Sequence, residues 1–112
     1  MKSLETVLHE IDSCTDEMIE TMIGMIRYPA LSPINGGVGE GEKADYLMSK
    51  LVGFDSVERV DVPDDSDPTI MRPNILARKN GRRKGTVWIV AHMDVVPAGD
   101  PDLWDTPPYE GV

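Results

Sequence analysis

Thr86-Val87-Trp88-Ile89-Val90-Ala91 runs directly into His92-Met93-Asp94-Val95-Val96-Pro97, and this join decides how the chain reads. The first six residues are apolar almost throughout instead of alternating, the pattern of a strand covered on both faces and flanked on both sides. Functional groups in open α/β sheets gather where strands end at their carboxyl edge, so His92 and Asp94 fall where chemistry is expected. Side chains at i and i+2 of extended backbone share a face, which lets Asp94 accept the Nδ1–H of His92. That contact fixes the tautomer and presents the Nε2 lone pair to a metal. Pro97 stops further pairing and turns the chain away. A His-x-Asp triplet alone arises easily by chance, and a histidine at a strand end is often only a hydrogen-bonded structural residue, so the surroundings have to decide.

Upstream, Leu4, Val7, Leu8 and Ile11 recur at helical spacing, and Met18, Ile19, Met22, Ile23 and Ile26 resume it after Ser13-Cys14-Thr15. One long helix or two fit this pattern. Thr15 can cap a second helix whose first turn holds Asp16 and Glu17, so a break near Cys14 is expected. The methionines Met18, Met22 and Met25 read as packing residues. Pro33 with Gly36, Gly37, Gly39 and Gly41 marks a loop, and without a Gly-Lys-Ser/Thr ending or a preceding buried strand it is no phosphate cradle. Ala44, Leu47, Met48 and Leu51 predict a short amphipathic helix closed by Gly53.

Val60 and Val62, alternating with Arg59 and Asp61, predict a half-exposed strand after Phe54. Pro63 to Pro68 carries Asp64, Asp65 and Asp67 but lacks the glycine and distal glutamate of a calcium loop, and reads as a solvated acidic loop. A second strand is expected from Asn74 to Lys79 after Pro73, with the Asn80-Gly81 turn leading to the strand at Thr86. Two other strands and two or three helices cover that apolar strand on one face well and on both only doubtfully. It therefore expects neighbours from later in a longer chain.

Bulk properties fit an ordinary soluble domain or part of one: 112 residues, 40% hydrophobic and 28% charged. A formal charge of −9 argues against nucleic acid as a partner, and Arg82-Arg83-Lys84 reads as a solvated turn. Cys14 is the only cysteine, which excludes an intrachain disulfide and a cysteine-rich zinc cage and fits the reducing cytoplasm. No run approaches the roughly 20 apolar residues of a membrane span, and no signal-peptide core follows Met1, so neither membrane insertion nor export is expected.

Residues 87 to 109, with Trp104 and Pro107-Pro108-Tyr109 closing the segment, resemble the first metal motif of the zinc aminoacylase and carboxypeptidase family. That family includes acetylornithine deacetylase, succinyl-diaminopimelate desuccinylase, carboxypeptidase G and several dipeptidases. The resemblance extends over the paired N-terminal helical segments, the Ser-Pro and Gly-rich loop, the helix ending in Gly-Phe and Arg72-Pro73-Asn74. His-x-Asp-x-Val-Pro and the Pro-Pro-aromatic tail are its specific parts. Tyr109 stands where the family usually shows phenylalanine.

The resemblance implies the N-terminal portion, residues 1–112, of a three-layer α/β/α catalytic domain with a mixed sheet. It implies His92 as a metal ligand, and Asp94 as the catalytic-site carboxylate that clamps and polarises the imidazole. The cofactor would be two zinc ions, with cobalt a substitute, and the substrate a small N-acyl amino acid or short peptide; a homodimer is possible for the full-length protein. In the family a Gly-Arg-Gly-x-x-Asp segment, a Glu-Glu pair and a last histidine complete the site, and these are expected past Val112. Glu40, Glu42 and Glu110 match none of them, and His9 reads as a surface residue. The expectation is an amidohydrolase fragment inactive alone. A non-catalytic interaction module and one half of a split enzyme stay open beside it.

Overall fold

The computed structural model describes residues 2–112, and its elements follow from short-range signals in the sequence. Helix α1 (Leu4–Ser13) starts where extended Ser3 turns its hydroxyl back to accept the Thr6 N–H at 3.2 Å, satisfying one of the donors a helix start leaves free. The break near Cys14 is present, and α2 spans Thr15–Ile26 with Asp16 and Glu17 in its first turn. Thr15 is not the cap. Its Oγ1 donates backward to Asp12 O at 2.7 Å, which leaves Cys14 in the cap position without a side-chain bond.

Helix α3 (Gly41–Lys50) packs on α2. Gly53, just past its end, takes φ 78°, the left-handed region the sequence assigned to it. The Tyr46 hydroxyl of α3 donates to Thr21 O of α2 at 3.4 Å, and its ring lies 5.5 Å from that of Tyr28. Gly24 makes this approach possible, since a Cβ there would stand 1.9 Å from the Tyr46 hydroxyl oxygen and 2.2 Å from Cζ. Alanine at position 24 gains about 1 kcal/mol of helix propensity, but overpacking costs roughly 1–3 kcal/mol. Gly24→Ala is therefore expected to lower the melting temperature, and adding Tyr46→Ala should remove the penalty of the glycine substitution. A higher melting temperature in the single variant would show that α2 and α3 do not meet this closely.

Strands β1 (Ser56–Pro63) and β2 (Met71–Arg78) form an antiparallel pair in register from Ser56 opposite Arg78 to Pro63 opposite Met71. The second strand starts at Met71, earlier than Asn74, and contains Pro73 opposite Asp61. Proline is tolerated where its missing N–H faces away from a partner, and each strand of a two-stranded sheet has such an edge.

The α/β class holds: three α-helices accompany the two-stranded sheet. The strand expected at Thr86–Ala91 does not form. These residues join no sheet among the described residues, and Val87, Trp88, Ile89 and Val90 are each at least 75% exposed. A strand exists only through its partners, and neither β1 nor β2 supplies one. The single parallel pairing among the described residues lies just downstream, a bridge of Val95 to Leu31. No helix among them is long and apolar enough to cross a membrane.

The core is correspondingly small. Among the described residues the buried apolar side chains are Ala30 and Ala44, while Glu40, Lys43 and Asp64 are buried with their charges. Ionic and hydrogen-bonding contacts therefore organise the interior as much as apolar packing does.

Candidate metal-binding corner

His92 and Asp94 meet as their spacing requires. His92 Nδ1 lies 3.1 Å from Asp94 Oδ1 and 3.0 Å from the Asp94 carbonyl oxygen, so one N–H serves both acceptors. Both acceptors demand the Nδ1–H tautomer, which leaves Nε2 as the lone-pair nitrogen. The imidazole is 86% exposed and the carboxylate 43%.

Among the described residues no sheet stands behind the loop. It is held from two other sides. Val95 N–H donates to Ala30 O at 3.0 Å, tying the loop to the segment that leaves α2. Lys43, in the first turn of α3, donates from Nζ to Met93 O at 3.2 Å, on the peptide between His92 and Asp94. Burial pushes the Lys43 amine below its ordinary pKa, and the nearby charges of Asp94 and Glu40 oppose that shift. Further on, Trp104 Nε1–H donates to Ala98 O at 3.0 Å and closes the turn after Pro97.

Behind Lys43 stands an ionic network that sequence reading missed. Arg72 donates from Nε to Glu40 Oε2 at 2.7 Å and from Nη2 to Glu40 Oε1, and from Nη1 to Asp64 Oδ2 at 2.9 Å. Asp64 also accepts from the Ser66 hydroxyl and from the Ser66 and Asp67 backbone N–H groups. The Ser66 hydroxyl first, and then Arg72, hold the Asp64 carboxyl well below the usual carboxylate range. The segment after Pro63 is thus not simply a solvated acidic loop, because Asp64 is its buried anchor. The run Asp64–Arg72–Glu40 couples β2 to the start of α3, the helix that carries Lys43.

Lys43 had one readable signal: it lies four residues before Leu47, on the face that α3 buries. His9 lies on α1 and is exposed, as expected. Arg82, Arg83 and Lys84 are exposed in a bend.

The donor chemistry of His92 suits a zinc-type ion, an imidazole on an exposed side chain with a carboxylate holding Nδ1 and Nε2 left for a ligand bond. It fills one ligand position. A catalytic zinc needs about three protein ligands, and no three His, Cys, Asp or Glu side chains gather for a metal among the described residues.

The chain is 34% identical over 105 residues to an uncharacterized metallohydrolase of Methanococcus maripaludis, covering 88% of this chain and 25% of that protein. It is 35% identical over 103 residues to an uncharacterized metallohydrolase of Methanocaldococcus jannaschii, covering 87% and 25%. The chain thus spans about a quarter of the length of the curated relatives it matches. No family model and no solved structure matches it.

Proposed function

We propose that residues 1–112 are the N-terminal part of the catalytic domain of a di-zinc hydrolase that cleaves amide bonds of N-acyl amino acids or short peptides, and that these residues are inactive alone. The observation that carries the reading is the His92–Asp94 hydrogen bond, which leaves Nε2 free on an exposed ring. The metallohydrolase names of the two archaeal relatives support hydrolysis and a metal. Zinc, amide substrates and the aminoacylase and carboxypeptidase likeness rest on the motif itself.

His92 supplies one ligand nitrogen, and Asp94 keeps the ring turned toward the ion and raises the basicity of Nε2. When bound, the zinc ions supply Lewis acidity toward the amide carbonyl. The remaining ligands and the proton-carrying glutamate come from residues outside this chain. In the complete domain the unpaired run at Thr86–Ala91 becomes a central strand of a mixed sheet between helical layers. A cytoplasmic protein, homodimeric at full length and without nucleic-acid or membrane partners, completes the proposal.

The test is metal analysis of the complete natural protein together with hydrolysis of a panel of N-acyl amino acids and dipeptides, before and after chelation. Zinc, or added cobalt, should restore the activity that a chelator removes. Asp94→Asn should keep part of the metal and lower turnover by roughly 10–100-fold, the usual cost of losing a carboxylate behind a ligand histidine. Hydrolysis indifferent to chelation, or full turnover in Asp94→Asn, would refute the assignment.

A further inference from the structure

We propose that Lys43 is a positioning residue for the His92–Met93–Asp94 loop, fixing the peptide between the two so that Asp94 keeps its grip on the His92 ring. This rests on the reading of His92 as a metal ligand.

The argument begins with the cost of placing Lys43 where it is. Lysine is among the residues least often buried, yet Lys43 is 7% exposed while Lys50, on the same helix, lies over the Tyr46 ring near the surface. A lysine needed only to pack α3 would be replaced with advantage by an apolar side chain of similar length. The ammonium instead reaches across 50 residues of sequence to Met93 O at 3.2 Å. It sits within electrostatic reach of both Asp94 and Glu40.

The contact falls where strand pairing would not reach. Thr86–Ala91 is unpaired among the described residues, and as a strand of the complete domain it would still end before the Met93–Asp94 peptide that Lys43 holds. Two contacts flank Asp94: Lys43 holds the carbonyl of Met93, and Ala30 O holds the N–H of Val95. Asp94 presents both its carbonyl and its carboxylate to His92 Nδ1, an arrangement that requires the backbone at 93–95 to stay in one orientation. Releasing Met93 O lets that peptide rotate and carries both acceptors away from the ring. Glu40, clasped by Arg72, adds a more distant electrostatic attraction on the Lys43 ammonium.

The complete natural protein, stripped of metal and titrated with cobalt(II), tests this. The readouts are the affinity and visible absorption spectrum of the site that His92→Ala abolishes, and the melting temperature of the metal-free protein. Lys43→Met should weaken cobalt at that site about tenfold and alter its spectrum, without lowering the metal-free melting temperature. Lys43→Arg, which keeps a cationic donor, should recover part of the affinity. Lys43→Gln, too short to reach Met93 O, carries the same expectation should the methionine variant not fold. Unchanged cobalt affinity and spectrum in Lys43→Met or Lys43→Gln, with His92→Ala still abolishing the site, would overturn the role of Lys43 and leave the ligand reading standing. An unchanged number of cobalt ions bound per chain in His92→Ala would overturn both.

Discussion

His92→Ala in the complete natural protein is expected to abolish one metal site and nearly all hydrolysis while leaving the fold intact. Both halves of that expectation come from the geometry. The imidazole is 86% exposed and its recorded bonds are to Asp94, two residues away, so its removal costs no packing. Exposed substitutions of this kind usually change stability by no more than about 0.5 kcal/mol. The metal-free melting temperature should therefore be unchanged.

The loss of function should exceed the roughly 100-fold upper figure for removing a group that merely supports a ligand, because the ligand itself has gone. Elemental analysis should show about one zinc fewer per chain than the wild type. His9→Ala serves as the control: an exposed histidine on α1 with no part in the loop should change neither metal content nor rate. Equal metal content in wild type and His92→Ala would remove His92 from the site altogether.

What was legible in the sequence shares one property, short range. The helix break at Cys14, the left-handed Gly53 after α3 and the strand around Val60 and Val62 all follow from periodicity and turn chemistry within a few residues. The His92–Asp94 contact belongs with them, since i and i+2 are neighbours by backbone geometry alone. Thr86–Ala91 shows the limit of that logic. Its apolar pattern says that it wants cover on both faces, but pairing depends on partners elsewhere, and the described residues leave it in water.

The ionic network was hidden for the same reason. Asp64 stands among other aspartates, Asp65 and Asp67, and nothing local distinguishes it. Only the hairpin register, which puts Met71 opposite Pro63, brings Arg72 back to it, and only the placement of α3 brings Glu40 to the other side of the guanidinium. Lys43 is a mixed case. Its position relative to Leu47 shows the buried face, but its acceptor lies 50 residues away.

Arg72→Met is expected to be among the most destabilising substitutions in the chain. Arginine satisfies both carboxylates from one planar group, and it is the partner that both lose at once. The Glu40 side chain is 5% exposed, and without Arg72 it keeps only the more distant attraction of Lys43. Breaking a fully buried pair costs about 3–5 kcal/mol; with the Arg72 side chain 29% exposed, roughly 2–3 kcal/mol is expected for the loss at Glu40. Glu40→Gln added to Arg72→Met should return part of that loss, since it removes the stranded charge, whereas Glu40→Gln alone should destabilise.

Acid provides an independent reading of the same network. The pKa of Asp64 is depressed in the fold, so its contribution to stability is present above the unfolded carboxyl value near 3.9 and disappears as the pH falls through the lower folded value. Wild-type melting temperature should therefore fall steeply below about pH 4. In Arg72→Met the curve should be flatter over that window, because a part of what depresses Asp64 is gone, though Ser66 still holds it. Parallel curves for the two proteins would mean that Arg72 does not hold Asp64, and the coupling of β2 to the helix that carries Lys43 would fail with it.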